Sequence, residues 1–171
     1  MITSSKVANL PSAVYPTLES FITIEDTTDP TIDTPASDLT VECDGAGNAT
    51  QLAAWLASNG GAAASDACGG VSWSNDFTGL SFVCGATGAV TVIFTATDDC
   101  GNTSTTTATF TIEDTTDPTI DTQAAPDTVE CDGTGNTAAL NAWLASNGGA
   151  AASDDCGNVT WSNDFSALSD L

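Results

Sequence analysis

The feature that most limits what this chain can become is an internal repeat. Glu25-Asp26-Thr27-Thr28-Asp29-Pro30-Thr31-Ile32-Asp33-Thr34 returns unchanged 88 residues later, at 113–122. At the same offset Cys43 maps to Cys131, Trp55 to Trp143, Cys68 to Cys156 and Trp73 to Trp161. Aligning 25–83 with 113–171 gives 43 identities in 59 positions. A chain that repeats at such a period is expected to build one supersecondary unit twice. The domain plan is then an N-terminal segment with a strand (1–24), a first repeat (25–112) and a second (113–171). The second copy stops before the counterparts of Cys84 and Cys100, so it is expected to lack its last two strands. Residues 12–24, with Ala13, Val14, Tyr15, Leu18, Phe21, Ile22 and Ile24, sit where the terminal strand of a preceding repeat would fall. Such a pair of features predicts strand exchange between subunits. A stretch cut from a longer array is the plainer expectation.

Within one repeat, β-prone runs dominate. Leu39–Glu42, Val71–Trp73, Ala89–Thr97 and Thr105–Ile112 are bounded by Gly, Asn, Asp and Pro, as strands are. Asp99-Cys100-Gly101-Asn102 reads as a hairpin turn. One segment has helical spacing instead: Ala49–Ser58 places Leu52, Trp55 and Leu56 at i, i+3 and i+4, and Asn59-Gly60-Gly61 stops it. Its copy is Thr137–Ser146. Seven short strands in 88 residues predict an all-β chain of tandem immunoglobulin-like β-sandwich repeats, each with a short helical insert.

The order of motifs in 25–171 resembles the hyaline repeat (HYR) family. "DTTDPTI", "DLTVEC", "VSWS", "VTVIFTATDDCGN" and "FTIEDTTDP" follow one another as that family's strands and turns do. Where the family has two successive prolines, this chain has Asp29 before Pro30, and the helical segment with its cysteine is additional. The chain is more similar to a variant found in large bacterial surface proteins. The resemblance implies an extracellular, cell-surface adhesion or structural module that is not an enzyme.

Charge narrows the function further. Twenty-three acidic residues face a single basic one, Lys6, and no histidine, for a net charge of −22. Such a surface repels nucleic acid and anionic membranes, and no apolar run is long enough for a membrane span. Catalytic triads, P-loops and dinucleotide fingerprints are missing from the sequence. The 41% apolar content and four tryptophans are enough for a core and argue against disorder.

In a sandwich of this type, the loops holding Asp66 and Asp98–Asn102 and the entering Glu25–Pro30 segment meet at one end. Clustered carboxylates repel, and a hard cation that takes 6–8 oxygens relieves them. The expected Ca2+ ligands are Asp26, Asp29, Asp66, Asp98, Asp99 and Asn102 at one junction. At the next they are Asp114, Asp117, Asp154 and Asp155. The competing expectation is that these side chains cap turns.

Six cysteines predict disulfides and an oxidising compartment. The pairing Cys68–Cys100 with Cys43–Cys84 is favoured, leaving Cys131 and Cys156 for partners on a continuing chain or a neighbour. Asn48, Asn102 and Asn158 each open a glycosylation sequon. The four tryptophans are expected in the core, with a sugar-stacking platform as the other use. The sum is a structural extracellular repeat protein, a calcium-stiffened surface stalk or filament that partners itself. An adhesin module binding glycan or protein is the alternative.

Overall fold

The computed structural model describes residues 22–167, without the side chains of Val83 and Cys84. The chain is mostly β-sheet with two short α-helices. Seven strands come first: β1 (Thr31–Thr34), β2 (Leu39–Glu42), β3 (Ala63–Ser65), β4 (Val71–Asn75), β5 (Ser81–Cys84), β6 (Thr87–Asp98) and β7 (Thr103–Glu113). Helix α1 (Ala49–Ala57) lies between β2 and β3. Then come β8 (Thr119–Thr122), α2 (Thr137–Ala145) and β9 (Ala151–Ser153). Strands β2, β7, β6 and β4 are neighbours in that order, β5 also pairs with β6, and β1–β3 and β8–β9 form separate two-stranded sheets.

The long runs become long strands because they alternate. Val92, Phe94, Ala96 and Asp98 on β6 are buried, as are Ala108, Phe110 and Ile112 on β7, while the residues between them are half-buried or exposed. Threonine fills many outward positions, where β-branched side chains suit a pleated surface. Strand β4 runs antiparallel to β6 with Trp73 opposite Ala96.

The predicted helix forms one residue shorter than expected at its C-terminus. It buries Leu52 and Trp55. Trp55 stands edge-on to Phe94 at 5.2 Å between ring centroids and is tilted against Phe110 at 5.6 Å. Its Nε1 donates to the Ser37 carbonyl at 3.0 Å, so the indole is buried without an orphaned donor. The helix ends as Asn59-Gly60-Gly61 turns left-handed, with Gly60 at φ 64°. A Cβ on Gly60 would sit 3.1 Å from the Ala36 methyl and 3.2 Å from the Phe94 ring, so both the turn and the packing require glycine there.

Several elements recur at the 88-residue offset: β1 as β8, α1 as α2 and β3 as β9. The β1–β3 register, Ile32 opposite Ala64, returns as Ile120 opposite Ala152. Residues 127–130 and 159–163, the counterparts of β2 and β4, are not strands. In the first copy those strands neighbour β7 and β6 respectively. No counterparts of β6 and β7 exist among the described residues after 113.

By density of internal contacts the chain divides into two units. The first takes residues up to Leu39, Thr50–Gly79 and Val90–Phe110, and the second takes Thr40–Ala49, Leu80–Ala89 and the chain from Thr111 onward. The expected N-terminal strand lies, up to residue 21, outside the described residues.

Candidate functional site

The acidic loops of the first unit form a compact turn system. Asp98, 6% exposed at the end of β6, is engaged on both carboxylate oxygens. Its Oδ1 accepts the N–H groups of Cys100 (2.8 Å), Gly101 (2.6 Å) and Asn102 (2.9 Å), and its Oδ2 accepts Asn102 Nδ2 at 2.8 Å. Partial desolvation pushes its carboxyl pKa upward, but the hydrogen bonds from Asn102, Cys100 and Gly101 together outweigh it and hold the pKa below the usual aspartate range. Asn102 Nδ2 also donates to the Asp26 carbonyl at 3.2 Å, tying the hairpin to the entering segment. Asp99 Oδ2 accepts the Gly70 N–H at 2.9 Å. Asp98 is thus engaged by protein donors on both oxygens, Asp99 accepts on one, and the Asn102 side chain is itself a donor to Asp98 and to the Asp26 carbonyl.

Asp26 and Asp66 come together with Cys68 so that one ligand atom from each lies within 4.8 Å of the others. This set mixes two hard oxygens with a soft sulfur and is a poor match to calcium. Asp66 Oδ1 also accepts the Cys68 N–H at 2.7 Å. Asp29 is exposed and stands outside this group.

In the second unit the aspartates gather around a cavity instead, and among the described residues no three of them bring ligand atoms as close together as Asp26, Asp66 and Cys68 do. Asp114, Asp117, Asp154 and Asp155 all line one cavity of about 120 Å³, together with Thr116, Thr119, Ser153, Cys43 and Cys156. Its lining side chains are carboxylates, hydroxyls and the two cysteine sulfurs. Asp154 Oδ1 accepts the Cys156 N–H at 2.7 Å, the same turn that Asp66 makes in the first copy. Asp114 Oδ1 accepts the Thr116 N–H at 3.1 Å.

Beside this cavity the chain is cross-linked. Cys43 and Cys156 form a disulfide with their Cα atoms 6.0 Å apart. This corrects the expected Cys43–Cys84 pairing. The expected Cys68–Cys100 bond is likewise not formed, and both residues are exposed thiols. The reason for the first is a contact between turns. The Asp44–Asn48 turn presents Gly45, at φ 72°, to the carbonyl of Asp155; an added Cβ would lie 2.6 Å from that oxygen. The Cys156 carbonyl in turn accepts the Ala86 N–H at 3.3 Å. For the second, the contact between the Cys68 and Cys100 loops is made by Asp99, whose carboxylate packs on Gly69 and Gly70. The Cys100 thiol pKa is raised by partial desolvation and then by the carboxylates of Asp26, Asp98 and Asp99.

The same region of the second unit is held by Glu42. One carboxylate oxygen accepts the Thr115 N–H (2.9 Å) and the Thr116 hydroxyl (3.0 Å), and the other accepts the Thr115 hydroxyl (2.9 Å). Bonds from Thr115 first, then Thr116, lower its pKa. Glu42 was not among the expected site residues. Its only sequence signal was its identity with Glu130 across the repeat.

Of the sequon asparagines, Asn48 is fully buried with Nδ2 on the Glu42 carbonyl at 2.8 Å, and Asn158 is exposed. Trp161 is 41% exposed and lines a cavity of about 380 Å³ with Trp143. Among the described residues no helix is long and apolar enough to cross a membrane. No family model matches the chain, and no curated protein matches it.

Proposed function

We propose that this chain is a structural, extracellular repeat protein: a calcium-stiffened surface stalk or filament of tandem immunoglobulin-like sandwiches that joins copies by strand exchange. The observation that carries the reading is the second acidic cavity. Four aspartates and three hydroxyl side chains line one small space, braced by a disulfide. Lys6 is the only basic residue in the sequence, so side chains cannot neutralise these carboxylates. Hard oxygen donors of this kind suit calcium. The residues that would hold it are Asp114, Asp117, Asp154 and Asp155, and its charge would offset their mutual repulsion. In the first unit Asp26 and Asp66 each accept one backbone N–H, from Thr28 and Cys68, whereas Asp98, Asp99 and Asn102 shape the loop.

Strand exchange is supported by a groove of about 680 Å³ in the second unit, lined by Val129, Cys131, Ala139, Leu140 and Trp143 among others. The counterparts of Leu140 and Trp143 are Leu52 and Trp55, both buried. A glycan-binding adhesin rests on the exposed Trp161. Its counterpart Trp73 lies on β4 beside β6, so want of a neighbouring strand accounts for that exposure as well.

The test is a thermal melt of the oxidised protein in millimolar calcium and in excess chelator. Calcium at a hundredfold excess over Kd should add about 2.7 kcal/mol, a rise of several degrees in Tm. Asp114→Asn with Asp154→Asn should remove it. An identical melt with and without calcium would retire the calcium reading.

A further inference from the structure

We infer that two copies of this chain join head to tail through a disulfide between Cys131 of one copy and Cys68 of the next. The inference deepens the self-association proposed above and rests on its repeat register, but not on calcium.

Both halves of such a junction already exist, joined, inside the second unit. There the Cys43 turn meets the Cys156 turn and is bonded to it. Shifted by 88 residues, Cys43 becomes Cys131 and Cys156 becomes Cys68. Both of these are exposed free thiols.

The turns that carry them are preformed. In the bonded half, Asp44 N–H donates to Asn48 Oδ1 at 3.2 Å, Asn48 N–H to Asp44 Oδ1 at 2.9 Å, and Asn48 Nδ2 to the Glu42 carbonyl at 2.8 Å. In the unbonded half the same three bonds link Asp132, Asn136 and Glu130 at 3.1, 2.9 and 2.7 Å. The Asp66–Cys68 turn likewise matches Asp154–Cys156, at 2.7 Å in each. Gly45 is packed under Asp155, whereas Gly133, at nearly the same φ of 73°, has nothing within 4 Å of where a Cβ would be. The unbonded half has the shape of the bonded one and open space where its partner would sit.

The flanking contacts translate too. Cys43 N–H donates to the Glu113 carbonyl at 2.8 Å, which maps to Cys131 and Glu25 of the next copy. The Glu42 carboxylate with Thr115 and Thr116 maps to Glu130 with Thr27 and Thr28, all three exposed. Phe110 and Ile112, at 0% and 2% exposure, map to Ile22 and Ile24, at 64% and 76%. One copy therefore offers two exposed isoleucines followed by an acidic Thr-Thr segment. The other offers the groove beside Val129, Leu140 and Trp143.

The bond forms by thiol–disulfide exchange. One thiolate attacks a disulfide oxidant such as oxidised glutathione, releasing one thiol of the oxidant. The second cysteine then displaces the other. Two protein thiols lose two protons and two electrons, one S–S bond forms, and the oxidant leaves as two thiols.

The full chain is incubated in a glutathione redox buffer and run on a non-reducing gel, with disulfide-linked peptides identified by mass spectrometry. Expected is a ladder of multimers that collapses on reduction and contains a Cys68–Cys131 peptide. Cys68→Ser and Cys131→Ser should each remain monomeric, and a mixture of the two should stop at a dimer. Gly133→Asn tolerates the left-handed turn yet fills the open space, so it should weaken the ladder at least tenfold while the near-ultraviolet dichroism stays native. A folded wild-type chain that stays monomeric, homodimers of either serine variant, or a Cys68–Cys100 peptide in place of the intermolecular one would overturn the inference. The ladder is expected in calcium and in chelator alike. A ladder without a calcium-dependent melt retires calcium alone, and a calcium-dependent melt without a ladder retires this junction alone.

Discussion

At the scale of single residues, carboxylates of similar sequence context do different work. Asp98 caps the β6–β7 hairpin, Glu42 clamps two threonines, and Asp44 and Asp132 each hold an Asx turn, Asn48 and Asn136 being their first donors. All four have pKa values held below the ordinary ones, which are 3.8 for aspartate and 4.5 for glutamate. A group whose folded-state pKa is depressed adds stability above its unfolded pKa and loses it as pH falls through the folded value. The protein should therefore hold its Tm from neutral pH down to about pH 5 and lose it progressively below about pH 4. Asp98→Asn should flatten part of that acid limb in a pH series of melts, at some cost to the Tm at pH 7. That the loops were acidic was plain from the sequence. Whether each carboxylate faces a metal or its own turn was not, because that depends on where the backbone N–H groups of residues two to four ahead point.

At the scale of elements, the two helices are a natural experiment. Helices α1 and α2 share Leu, Trp and Leu at matching positions, and each indole donates to a carbonyl 18 residues earlier, at 3.0 and 2.9 Å. Trp55 is 6% exposed against Phe94 and Phe110, whereas α2 buries no residue. Trp55→Ala should cost about 3–5 kcal/mol. Trp143→Ala should cost about 1 kcal/mol, the scale of its hydrogen bond. Chemical denaturation of the two variants measures the difference. Both helices were legible from their 3.6-residue spacing and their Asn-Gly-Gly stops. So were β2, β4, β6 and β7, from apolar alternation and bounding turns. Strands β1 and β3 were not anticipated, since Thr-Ile-Asp-Thr and Ala-Ala-Ser are too short and too polar or small to announce themselves and form by pairing with each other. The absence of β2 and β4 counterparts was equally hidden: Thr128-Val129-Glu130 matches Thr40-Val41-Glu42, but a strand needs a neighbour.

At the scale of the whole molecule, the disulfide was the least legible feature. The expected partner of Cys43 is Cys84, in its own repeat, and that of Cys156 is a cysteine beyond this stretch or on a neighbour, yet the two bond to each other, 113 residues apart. Nothing in cysteine spacing reports that two turns meet. Closing so long a loop restricts the unfolded chain, so Cys43→Ser should lower stability by about 2–5 kcal/mol, read as the loss in denaturation free energy relative to the oxidised parent. Cys68→Ser, at an exposed thiol, should leave the monomer's stability within about 0.5 kcal/mol.

The same long loop sets how a single copy held by its two ends would extend. Tension applied at the two ends runs into the chain at Cys43 and leaves at Cys156 through one covalent bond, bypassing everything between them. Roughly 380 Å of contour, 113 residues at about 3.4 Å each, is withheld from extension while the bond is intact. The β6–β7 ladder and the Trp55 core lie inside that loop. A single copy pulled by its two ends would stretch only outside the cross-link, and a reductant would release the stored slack as a single long step.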